Sequence, residues 1–160
     1  MNAGELLHFG LLFHIIGFTL VGGSTVVSLT MYGHFWKQYA QDKSKGVAVM
    51  LATSKVSVIT TIGLLLLVVS GISMMLVTRG AFGGQIWFKI KMIMLLVIII
   101  NAVFFGRRNG IALKELITED TSGKDKTSEL ASAKARIRIF YLSQLLLIVT
   151  ILLLSVYKFN

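Results

Sequence analysis

Four long stretches of this chain carry no charge, and their spacing decides what it can fold into. Residues 6–36, 56–78, 92–106 and 139–157 contain no Asp, Glu, Lys or Arg, in runs of 31, 23, 15 and 19. A helix rises 1.5 Å per residue, so roughly 20 apolar residues cross the hydrocarbon core of a bilayer. The third run reaches that length when it is extended back to Ile86, with Lys89 and Lys91 snorkelling to the headgroups. The pattern predicts an all-α integral membrane bundle of four transmembrane helices, over about 6–36, 52–78, 86–106 and 136–158, in one domain 1–160.

Composition agrees with a lipid solvent. Of 160 residues, 55% are hydrophobic and 14% charged, whereas soluble domains carry about 25% charged residues. The absence of cysteine removes disulfides, thiolate zinc, iron–sulfur clusters and thiol nucleophiles, and the absence of proline removes proline kinks. The first run is too long for a cleaved signal and is preceded by Glu5 instead of a basic region, so it is expected to stay as the first helix.

The net charge of +9 is distributed unevenly. Lys37, Lys43, Lys45, Lys55, Arg107, Arg108, Lys114, Lys124, Lys126, Lys134, Arg136 and Arg138 fall on one side of the four spans. Arg79, Lys89, Lys91 and Lys158 fall on the other. Twelve against four puts the first and third connections in the cytoplasm and both termini outside it, in a membrane read as the bacterial inner membrane. The basic excess then points to anionic lipid and not to nucleic acid. Residues 42–45 read as a short polar turn, and the RGAFGG of residues 79–84 as a tight reversal. Residues 107–135 mix both signs of charge and read as a solvated cytoplasmic loop. Two helix-compatible pieces flank a break at Thr121-Ser122-Gly123.

No span contains a carboxylate, which excludes carboxylate proton relays, carboxylate-bound di-iron and intramembrane aspartic proteolysis. There is no HExxH, Walker or GxSxG motif. The groups left are three His, seven Met, a few hydroxyls, Asn101 and Gln144. Thr60, Thr61, Ser70, Ser73, Asn101 and Gln144 are expected to bond between helices.

His14 is the most informative of these. It lies roughly 12 Å along the helix from Leu6, at a depth where an ionisable group is rare and usually functional. At about 100° per residue it shares a face with Gly10, Gly17, Val21, Ser24 and Ser28. A stripe of small residues admits either a neighbouring helix or a flat cofactor. A neutral imidazole can bind a metal, haem iron included, or bond to a neighbouring helix. His8 points roughly 120° away near the outer surface. His34 sits at headgroup level beside Trp36 and Lys37, about 30 Å from His14. Met74, Met75 and Arg79 close the second span, and Lys89, Lys91, Met92 and Met94 open the third, at a similar depth to His14. A thioether can be an axial haem ligand or a Cu(I) ligand, and Arg or Lys can pair with propionates.

Several segments resemble the HemJ-type protoporphyrinogen oxidases and their CopD-like relatives. They are LLHFGLLFHIIGFTLVGGSTVVSLTMYGH, VSGISMMLVTRG, WFKIKMIMLLV and RIRIFYLSQLLLIVTILLLSVYKF. The resemblance implies b-type haem within a helical bundle and oxidation of a porphyrinogen, with electrons passed to a membrane acceptor such as quinone. His14 matches the family's first-helix His, Lys91 its third-helix Lys and Arg138 the Arg that opens its last helix. The first helix lacks the family's Trp, the third lacks a later His, and Tyr141 stands where Asn is usual. The expectation is a haem b protein of redox or tetrapyrrole metabolism. His14 and His8 are candidate iron ligands, and Gly17, Met74, Arg79, Lys91 and Arg138 line the cofactor. The alternative is non-enzymatic: a copper-handling module using His14, Met74, Met75, Met92 and Met94, or a subunit of a larger complex. A homo-oligomer is compatible with either reading.

Overall fold

The computed structural model describes residues 2–157. It consists of α1 (Ala3–Gln41), α2 (Lys43–Val77), α3 (Ile86–Ile100), α4 (Arg107–Thr121) and α5 (Thr127–Val156). A π-helical segment, Asn101–Gly106, joins α3 to α4 without a break, so Ile86–Thr121 is one continuous 36-residue helix. Four helices are therefore long and apolar enough to cross a membrane, and no strand occurs among the described residues. Lys158, placed by the sequence on the less basic side, lies outside the described residues.

The helices outrun the uncharged runs. α1 begins with a capping box, in which the Glu5 amide donates to Asn2 Oδ1 at 2.8 Å and the Asn2 amide to Glu5 Oε2 at 3.0 Å. The expected polar turn shrinks to Asp42 alone. Its amide donates to the Gln38 carbonyl, ending α1, while its carboxylate accepts from the Ser44 and Lys45 amides, starting α2. The ends of the bundle are named from this: Asp42 and the α4–α5 turn mark the hairpin end, and both described termini lie at the terminus end.

The loop expected over 107–135 is corrected. It is almost wholly helical, with a turn only at 122–126. Leu113 and Ile117 on α4, and Leu130, Ala133 and Ile137 on α5, recur three and four residues apart and so share a face. That face buries against Phe35, Tyr39 and Met50 of the α1–α2 hairpin. Phe35 and Leu113 lose essentially all exposure. The expected break does end α4: Gly123 has φ +97°, a region that favours glycine.

α1 lies along α2, and α5 packs on α1, α3 and α4. At mid-bundle Val21, Leu67, Ile98, Ile148 and Ile151 form a second buried cluster with contributions from all four long helices.

Candidate functional site

α1 and α2 approach closely because glycines face each other. A Cβ added at Gly17 would stand 2.8 Å from the Gly63 carbonyl oxygen and the Leu67 nitrogen, and one at Gly63 would stand 3.0 Å from the Gly17 oxygen. The small-residue stripe of α1 is thus a helix-packing surface. The place in front of Gly17 that a flat cofactor would need is filled by the backbone of α2, which corrects the assignment of Gly17 to a cofactor wall.

The same register places His14 against α2. His14 Nδ1 lies 3.0 Å from Ser70 Oγ, and the Ser70 hydroxyl donates back to the Leu66 carbonyl of its own helix. With that hydroxyl proton committed, the Ser70 oxygen accepts from an Nδ1–H. The Leu67 carbonyl is a second acceptor within reach of the ring. This arrangement is compatible with an Nδ1–H tautomer, in which Nε2 carries the lone pair. One turn toward the terminus end, the Met74 side chain fills the space before Gly10. Lys91 of α3 comes within electrostatic reach of the imidazole. His14, Ser70, Met74 and Lys91 therefore form one half-buried cluster near the terminus end.

The other expected members stand apart. Gly22 of α1 is level with Ile148 of α5. Counting helical rise from that pair puts Arg138 roughly 27 Å from His14 along the bundle. Arg138 is exposed on the hairpin side and belongs to no site containing His14. His8 is exposed and its Nδ1–H donates to the Gly4 carbonyl at 2.8 Å. His34, also exposed, is contacted by the Gln38 amide. Met75 and Met92 face outward at 48% and 44% exposure, so the five-residue copper set does not converge. Arg79 is exposed in the turn after α2, where it adopts φ 50° in a Schellman cap. Among the described residues, no three His, Asp or Glu side chains come together as a metal group.

Nearer the middle of the bundle, cross-helix bonds expected from the sequence are present. Thr60 donates to Ser24 at 2.8 Å, and Asn101 Nδ2 to Gln144 Oε1 at 2.7 Å. Gln144 Nε2 in turn donates to the Ile98 carbonyl, beside the π-helical segment whose wider turn loosens the ordinary ladder. Thr61, in contrast, bonds only to Ser57 of its own helix.

Sequence reasoning missed the hairpin-end latch. Tyr39 donates to Asp120 Oδ2 at 2.6 Å, and Lys43 pairs with the same oxygen at 2.9 Å, tying the α1–α2 hairpin to the end of α4. The three residues lie in different helices, and no spacing in the chain announces them.

By their chemistry, the His14 imidazole could hold a haem iron and the Lys91 ammonium could pair with a propionate. His14 and Met74 likewise offer an imidazole and a thioether suited to copper. Compared with known proteins, the chain matches no family model, no curated protein and no solved structure.

Proposed function

We propose that this membrane protein binds haem b through His14 Nε2 and serves redox chemistry or tetrapyrrole metabolism, in the manner of the HemJ-type oxidases it resembles. The observation that carries this is the Ser70 bond. A neighbouring hydroxyl that contacts Nδ1 and orients the ring is the kind of support a ligating imidazole requires. When bound, haem supplies one-electron chemistry, with a membrane acceptor such as quinone as its outlet. The chain's own part is to hold the imidazole against α2 and to offer the Lys91 ammonium to a carboxylate of haem or porphyrin. Detergent-purified protein is expected to show a Soret band and reducible α and β bands. His14→Ala should lose most of its haem by pyridine haemochrome, while His34→Ala retains it. Equal haem in wild type and His14→Ala would refute the assignment.

Met74, one turn beyond the His14 partner Ser70 on α2 and facing Gly10 of α1, favours copper as the second reading, since a thioether and an imidazole suit Cu(I). A spectrum clean except near 280 nm, with stoichiometric copper, would select it. We place the hairpin end in the cytoplasm of the bacterial inner membrane on the twelve-to-four charge bias. Labelling of Ser122→Cys from outside intact cells would overturn that orientation.

A further inference from the structure

Among the described residues, the ion pairs lie at the far tip of the hairpin end. Lys43 pairs with Asp120, Lys45 with Asp42, Lys124 with Glu119, and Lys126 with Glu119 and Glu129. Arg107, Arg108 and Arg138 are exposed and take part in none of these pairs. All three sit within one turn of the place where Gly106 meets Phe140, so two adjacent helices present them at one height. The closest acid along α4 is Glu115, about 10 Å beyond Arg108, and along α5 Glu129, about 14 Å before Arg138.

The residues on their membrane side fix what that height is. Val103, Phe104 and Phe105 precede Arg107 with exposures of 52–67%, and Ile139 follows Arg138 at 67%. On both helices the surface changes from exposed apolar to exposed guanidinium within one or two residues. That is the boundary between acyl chains and headgroups. A guanidinium there, with no carboxylate to neutralise it, meets phosphate oxygens in the fork geometry it prefers.

We propose that Arg107, Arg108 and Arg138 form a binding surface for anionic phospholipid headgroups, distinct from the acid-paired lysines of the tip. Recognition depends on where the charge stands and not on how much of it the protein carries. The test uses the full chain reconstituted in phosphatidylcholine vesicles doped with spin-labelled phosphatidylglycerol or spin-labelled phosphatidylcholine. The motionally restricted fraction gives the relative association of the two lipids. Wild type is expected to prefer phosphatidylglycerol at least about twofold, with the preference reduced by salt. Arg107→Gln/Arg108→Gln/Arg138→Gln should bring the ratio close to one. Lys43→Gln/Lys45→Gln/Lys124→Gln, which removes the same formal charge at the tip, should leave it unchanged. The Arg→Lys triple should keep most of it and shows that the positions, when charged, remain folded. No preference in wild type, or equal loss in both Gln triples, would overturn the proposal. Suppression of the preference by 10 mM inorganic phosphate, at constant ionic strength, would also overturn it by pointing to a free anion.

Discussion

Gly17→Ala tests the account of how α1 and α2 are held together. Inside a bilayer apolar side chains gain nothing from leaving lipid for one another, so helices associate through close packing. The added methyl would stand 2.8 Å from the Gly63 oxygen and the Leu67 nitrogen and 3.1 Å from Leu66 Cβ. Two of these three atoms are backbone and cannot rotate away. α1 and α2 must then separate by about half an ångström along a shared face that includes the Gly10–Met74 and His14–Ser70 contacts, and overpacking of this kind costs about 1–3 kcal/mol. Gly23 is the control, because a Cβ there meets nothing within 4 Å. Gly23→Ala should be neutral or stabilising, by up to about 1 kcal/mol from helix propensity. The measurement is helicity against the mole fraction of sodium dodecyl sulfate in a mild detergent, for wild type and both variants. If Gly17→Ala unfolds at the same point as Gly23→Ala, the close crossing at Gly17 is not what holds the pair.

Three further outcomes use the same unfolding assay. Gln144→Leu removes the acceptor 2.7 Å from Asn101 and the donor to the Ile98 carbonyl, and should cost about 1–2 kcal/mol, at the upper end for bonds between membrane helices. Arg79→Gly relieves a left-handed conformation that costs an L-residue about 1–2 kcal/mol, offset in part by glycine's extra freedom when unfolded. The net gain should be about 0.5–1 kcal/mol. Asp42 caps α2, and the Ser44 hydroxyl and amide hold its carboxyl below the usual carboxylate range. A depressed folded pKa gives stability that is present above the unfolded value of about 3.9 and is lost as pH falls through the folded one. Asp42→Ala should therefore unfold earlier than wild type at pH 7, and the difference should narrow as pH falls below the unfolded value of about 3.9; a gap that does not narrow on acidification would contradict the capping role.

What the sequence revealed and what it hid divide along a physical line. Uncharged length is a property of each segment alone, so the four spans were legible, as was the stripe of Gly10, Gly17 and Ser24. Charged residues on the outer faces of α4 and α5 masked the apolar spacing of Leu113, Ile117, Ala133 and Ile137. The polarity of 107–135 was therefore read as solvation, although one side of each helix builds a buried cluster with Phe35. Contacts set by register between helices were legible only as levels, as for Met74 and Lys91 beside His14, and not as particular pairs. Ser70 was recognisable as a polar residue within a span, but not as the partner of His14. Arg138 was carried to the site by resemblance, and only the level of α5 against α1 removes it.

That register also explains why the His14 cluster lies where it does. Asn101 is level with Gln144, so Lys91, ten residues earlier on its helix, is level with about residue 154 of α5 and about Gly17 of α1. The uncharged run of α3 and its π-helical segment spans only about 22 Å, short of the roughly 30 Å of a hydrocarbon core. α1 and α2 stay apolar well beyond that level, with Leu6, Phe9, Ile72 and Leu76 all exposed. On the α3 side the apolar surface resumes past Lys91 and Lys89 at the exposed Ile86, so the two ammonium groups reach the headgroups from within the span by snorkelling. His14 sits within about one turn of the level of Lys91. A ligand with a flat apolar body and an anionic edge would meet apolar helix on one side and an ammonium on the other.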